Sequence, residues 1–271
     1  QATGGAGACH VDLARDGRTL LVANYEGGSV ASYLVAEDGT FGPAASVHQH
    51  QGASVHPQRQ QGPHAHGFFA DPESGMAYAP DLGIDAVVCY RLVAGTGKTE
   101  RVGVWAMPPG TGPRHLKFGA RGEHLYVLGE LSHQVVVGAL QGEGALPKTT
   151  QVVPVLPEEM DRSEVTCSEI RIHPNGKFLY TATRDLRDEG RARLTTFKIL
   201  ADGTLERVQV VPAECAIPRN FNLSPDGKWL LVACQRSGSV PIFAVGEDGL
   251  LMFSGQKIEV PQPMCVVFGS M

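Results

Sequence analysis

No stretch of the chain reaches the roughly 18 consecutive apolar residues that a membrane-crossing helix needs, and no basic-then-apolar leader segment opens it. Charge of either sign is sparse: charged residues make up 19% and the formal net charge is -5. That balance gives no footing for a nucleic-acid or anionic-membrane partner. Of the six cysteines, at 9, 89, 167, 215, 234 and 265, no two form a CxxC pair, so zinc-ribbon and dithiol-redox classes have no support. Cys9, Cys89 and Cys234 sit in apolar runs and read as small core residues. A reduced, cytoplasmic protein is the expectation. The GxSxG nucleophile motif is missing, which argues against a covalent acyl-enzyme. The Trp-Asp dipeptide of propeller interaction platforms is missing as well. Nowhere does an i, i+3, i+4, i+7 apolar pattern persist, so a helical architecture is excluded.

What the chain has in excess is glycine (33) and proline (18) across 271 residues, enough for one large domain with many turns. These fall at regular intervals. Five segments run in parallel: "ACHVDLARDGRTLLVANYEGGSVASYLV", "HAHGFFADPESGMAYAPDLGIDAVVCYRL", "PRHLKFGARGEHLYVLGELSHQVVVGAL", "CSEIRIHPNGKFLYTATRDLRDEGRARLTTFKI" and "PRNFNLSPDGKWLLVACQRSGSVPIFAV". Each has a polar head residue, a short apolar alternation, a tight turn and a second aliphatic run. A polar turn and a third run close the unit. The heads are His10, His66, His115, Glu169 and Asn220, and Cys265 opens a sixth unit in "PMCVVF". Successive heads lie 56, 49, 54, 51 and 45 residues apart. A period near 50 built from short strands is the signature of a β-propeller with four-stranded blades. Outer strands are expected around "DGTFGPAASV", "KTERVGVWAM", "LPKTTQVVPV" and "DGTLERVQVV". The chain opens on "QATGGAGACHV" and closes on "MCVVFGSM". The expectation is therefore a single all-β propeller domain over residues 1–271, truncated at its N-terminus. It would be an incomplete ring of about five full blades plus one strand.

In a propeller the first strands of all blades approach one axis, so equivalent positions about 50 residues apart can build one site. In four units the turn glycine follows the head by seven residues: Gly17, Gly122, Gly176 and Gly227. The second unit carries one extra residue, to Ser74. At or just beyond the ends of the second runs stand Asn24, Asp81, Glu130 and Arg184. Beside the heads stand His64, Arg114 and Arg219. A ring of His64, His66, Arg114, His115, Glu130, Glu169, Arg184 and Arg219 is net cationic around its carboxylates, as a small anionic substrate requires. A carboxylate or imidazole there can act as general acid or base. For His10, His66 and His115 a structural role stands equally open. For Asn24 and Asp81 the local turn role is favoured, although both are carried as substrate-binding candidates. The histidines His48, His50, His56, His64 and His66 could be read as metal ligands. A long Gln- and Pro-rich loop that folds over the site is the better reading, with no metal and no cofactor.

The quoted segments, with "QRQQGPHAHGFFADPE" and "GPRHLKFGARGEHLYVLGEL", closely resemble the seven-bladed propeller lactonases, which include propeller-type 6-phosphogluconolactonases and carboxy-cis,cis-muconate cyclases. The resemblance spans nearly the whole chain and implies catalytic residues at His66 (or His64), Arg114, Glu130 and Arg184. It implies hydrolysis of 6-phosphogluconolactone in the pentose phosphate pathway. The alternatives are muconate cyclisation, a calcium-dependent lactonase using Asn24, Asp81 and Glu130, and a non-catalytic binding platform. Two positions depart from the pattern: Gly129 where the family usually has Asn, and Asn220 where it usually has His. In the implied mechanism Arg114 and Arg184 hold the substrate anion and stabilise the oxyanion. Glu130 or His66 deprotonates water, and the other returns a proton to the ring oxygen.

Overall fold

The computed structural model describes every residue except 143, 189, 270 and 271. The described residues form twenty strands and one 3-10 turn, Leu82–Ile84. The strands make five four-stranded antiparallel sheets, each from four consecutive strands. The first holds β1 (Ala8–Leu13), β2 (Thr19–Asn24), β3 (Ser29–Leu34) and β4 (Ser46–Gln49). The second holds β5 (Phe69–Ala70), β6 (Met76–Asp81), β7 (Ala86–Val93) and β8 (Lys98–Ala106). The third holds β9 (Pro113–Phe118), β10 (His124–Gly129), β11 (Gln134–Ala139) and β12 (Lys148–Pro154). The fourth holds β13 (Val165–Ile172), β14 (Phe178–Asp185), β15 (Arg193–Ile199) and β16 (Leu205–Pro212). The fifth holds β17 (Pro218–Leu223), β18 (Trp229–Cys234), β19 (Ser239–Val245) and β20 (Leu251–Glu259). The chain divides into two compact units: Gln1–Ser132 with Gly138–Thr149, and His133–Val137 with Thr150–Met271.

Local chemistry accounts for the elements. The glycines expected in the first hairpin turns, Gly17, Gly122, Gly176 and Gly227, all have φ between 67° and 73°, a region where a Cβ is penalised. Second strands such as β6, β10 and β14 are buried along nearly their whole length, which explains their largely apolar runs. In the first unit Leu21, Ala23 and Val30 pack against Ala77, Ala79, Val88 and Tyr90, so two sheets stack face to face. In the second unit Tyr180, Ala182 and Leu194 pack likewise against Phe221, Leu230, Val232 and Phe243. Outer strands such as β12 alternate exposed and half-buried residues, as one-sided strands do.

Three expectations need correction. Residues 263–269, including the "MCVVF" run expected to be a strand, carry no strand assignment. Val266 instead donates from its amide to Asn220 Oδ1 and accepts from Asn222 Nδ2. Cys234 is not a lone core thiol: it is buried and disulfide-bonded to Cys215. Cys9, expected in the core, is exposed, while Cys89 is buried as expected.

Candidate active site

A recurrent irregularity sets the site's geometry. In the first strand of four sheets the register slips by one residue beside the head. Ala8 pairs with Asn24 but His10 with Ala23, leaving Cys9 as the extra residue. The same slip leaves Arg114 extra in β9, Ser168 in β13 and Arg219 in β17. In the second sheet Ala65 bridges Asp81 and Phe69 pairs with Tyr78, so three residues from His66 to Phe68 oppose two. A bulge of this kind turns a side chain that strict alternation would send elsewhere.

In the first unit these bulges bring the heads together. The His10 ring lies 4.2 Å from Phe69 and 5.6 Å from His115, and His66 meets His115 edge-on at 5.2 Å. Arg114 is almost wholly buried and donates from Nε to Glu130 Oε2 at 3.0 Å. Its Nη1 lies 3.4 Å from the ring nitrogens of His115. The other carboxylate oxygen of Glu130 accepts from Arg59 Nη2 at 2.8 Å, and the same nitrogen donates to Tyr25 Oη at 3.0 Å. Tyr25 stacks on His64 and touches His66 edge-on. Two guanidinium groups, one carboxylate and four imidazoles thus converge, with a net positive charge when the rings are neutral. Gly129 belongs to this packing: a Cβ there would meet Ser132 Oγ and the Thr111 carbonyl well inside contact distance. The departure from the family pattern therefore matches a close backbone approach.

Arg59 and Tyr25 are absent from the set expected from sequence. Arg59 sits on the loop between β4 and β5, which is firmly held. His50 Nδ1 lies 2.7 Å from Asp81 Oδ2, and His50 Nε2 lies 2.8 Å from Tyr90 Oη. Ser54 donates to Asp85, Gln60 donates to the Leu82 carbonyl, and the His64 amide donates to Asp81 Oδ1 at 2.6 Å. His48 is held by Thr99. Burial lowers the His48 pKa, opposed by its bond to the Thr99 backbone. Burial also presses on the Arg59 guanidinium, but Glu130 and Tyr25 outweigh it and raise its pKa on balance.

Several expected substrate contacts are engaged elsewhere. Asp81 has no exposure, and its oxygens accept from His50, the His64 amide and the Gly83 amide. It anchors the β4–β5 loop. Asn24 is equally buried and donates to Ser29 and the Thr3 carbonyl. In the second unit Glu169 is fully buried. It accepts from Arg171 at 2.6 Å, from the Ile170 amide, and from Asn220, the residue standing where the family usually has His. These bonds tie Asp81, Asn24 and Glu169 into the surrounding fold. Arg184 on β14 is buried and donates to the Cys167 carbonyl. Arg219 is the bulge residue of β17.

Residues 1–268 match the family model described as lactonase, seven-bladed β-propeller. The chain is 32% identical over 267 residues to a 6-phosphogluconolactonase of Bacillus subtilis, covering 97% of this chain and 74% of that one. It is 27% identical to a 6-phosphogluconolactonase of Formosa agariphila, covering 98% and 73%. Among solved structures, the Pseudomonas aeruginosa periplasmic gluconolactonase PpgL superposes with a TM-score of 0.85 at 35% identity, covering 94% of this chain and 70% of that one.

Proposed function

The chain belongs to the seven-bladed β-propeller lactonase family, and from that premise we propose that it opens 6-phosphogluconolactone to 6-phosphogluconate, a step of the pentose phosphate pathway. The family model is described as lactonase, and relatives named 6-phosphogluconolactonase support lactone hydrolysis. The observation that carries the choice of an anionic lactone is the paired engagement of Glu130 by Arg114 and Arg59, which leaves excess positive charge beside four imidazoles. Water attacks the ring carbonyl while His66 takes its proton. The carbonyl π electrons move to oxygen, where Arg114 stabilises the charge. Collapse of that intermediate breaks the ring C–O bond, and the imidazolium returns the proton to the leaving oxygen. Glu130 has a guanidinium on each oxygen, so its task is to hold Arg114 and Arg59 in place rather than to activate water. Cytoplasmic residence belongs to this proposal, and the Cys215–Cys234 disulfide opposes it, since disulfides are rare in reducing compartments.

The test is acid release above the spontaneous ring-opening rate, with His66→Gln and Glu130→Gln alongside the unaltered chain. Loss of a general base costs roughly 10²- to 10⁴-fold in kcat, so His66→Gln should show that loss. Glu130→Gln should act mainly through KM, because it loosens the cations. A Glu130→Gln variant with unchanged KM and abolished kcat would make Glu130 the base. No turnover above background by the unaltered chain would remove the hydrolase reading.

A further inference from the structure

Arg59 stands in the "QRQQGPHAHGFFADPE" segment but outside the set of site residues expected from sequence, yet it supplies the site's partly exposed cation: its side chain is 35% exposed, against 2% for Arg114. Nη2 is fully engaged by Glu130 and Tyr25. Among the described residues, Nη1 and Nε have no hydrogen-bond acceptor, although both are donors at all working pH values. The loop around it holds the guanidinium still, through Asp81, Asp85 and the Leu82 carbonyl. The backbone reinforces this: the Arg59 amide donates to His56 Nδ1, and Gln60 closes a turn back to His56. A cation pinned along one side by a buried carboxylate and a phenol, with unengaged donors on a solvent-reaching side, is organised to receive a second anion.

We propose that Arg59 is a specificity-determining ligand for the phosphate group of the substrate. This rests on the lactonase reading above and deepens it: Arg114 serves the reacting carbonyl, while Arg59 discriminates phosphorylated from unphosphorylated lactones. Tyr25 and Glu130 are positioning residues for it. The sequence does not mark its role, because Arg59 comes from a loop and reaches Glu130 across 71 positions.

The test compares Arg59→Gln and Arg59→Lys with the unaltered chain on 6-phosphogluconolactone and on glucono-δ-lactone, with calorimetric titration of 6-phosphogluconate as a readout independent of turnover. A lost charge-assisted hydrogen bond corresponds to about a ten- to hundredfold change. Arg59→Gln should raise KM for the phosphorylated lactone and weaken 6-phosphogluconate binding by that factor. The unphosphorylated lactone should change far less, and Arg59→Lys should recover part of the loss. An equal fall in kcat on both lactones would show that Arg59 only holds Glu130, overturning the proposal. Unchanged KM and product binding would overturn it too. If the unaltered chain opens neither lactone but Arg59→Gln still weakens product binding, the ligand assignment stands and the hydrolase reading fails.

Discussion

Asp81→Ala removes the acceptor on which the β4–β5 loop depends, and its cost can be worked from the contacts. Three donors lose their partner: His50 Nδ1, the His64 amide and the Gly83 amide. His50 Nε2 also contacts the Tyr90 hydroxyl, which loses its orientation with the ring. A buried donor left unsatisfied costs about 1–3 kcal/mol. Three of them, with some relief from water entering the site, give about 3–5 kcal/mol, near the upper end for single substitutions. The loss falls first on the loop, since the hairpin of β6 and β7 keeps its ladder. Arg59 should then lose its hold on Glu130 and Tyr25. Urea unfolding read by tryptophan fluorescence measures the destabilisation, and limited trypsin digestion reads the loop. The expected outcome is a lower midpoint together with a new cut after Arg59, giving a 59-residue fragment that the unaltered chain resists. Asp81→Asn keeps one acceptor oxygen and should fall between the two. A midpoint for Asp81→Ala within about 1 kcal/mol of the unaltered chain, with no cut at Arg59, would refute the anchoring argument.

Two further outcomes are expected. The Cys215–Cys234 bond closes a 19-residue separation, so reducing it should lower stability by about 3 kcal/mol on the chain-entropy estimate. Alkylation of the denatured chain should add four groups without reductant and six with it, and six without reductant would show that no disulfide exists. His133 is buried, and desolvation lowers its pKa from 6.5, partly opposed by its bond to the Val165 carbonyl. Its folded form resists protonation, so its contribution is intact above pH 6.5 and is lost as the pH falls from there through the lowered folded value. Thermal melts from pH 7.5 to 5.5 should show Tm falling, and His133→Asn, which tolerates the positive φ of 55° at that position, should flatten the fall. An equally steep fall in the variant would place the titration elsewhere.

What the amino-acid sequence determines by itself here is everything written in short-range chemistry. "ARDGRT" and "SPDGKW" specify hairpin turns because glycine alone takes those backbone angles without strain, and "LLVAN" or "FLYTAT" specify strands because β-branched and aromatic side chains suit a pleated, packed sheet. The period of these phrases is enough for the architecture and for the neighbourhood of His66, Arg114 and Glu130. The tertiary structure alone decides what each side chain there touches. The bulge that re-aims Arg114 depends on how β9 pairs with β10, and a one-residue slip in pairing leaves no mark in composition. Asp81 and Glu169 look like site carboxylates until their partners, His50 and Asn220, arrive from 31 and 51 positions away and engage them. Cys215 and Cys234 read as unrelated until β17 and β18 pair. Arg59 is one arginine in a polar loop, and only the folding of that loop against Asp81 and Asp85 delivers it to Glu130. Turns and strands follow from neighbours in the chain, whereas these contacts follow from neighbours in space, which a chain acquires only once its sheets have packed.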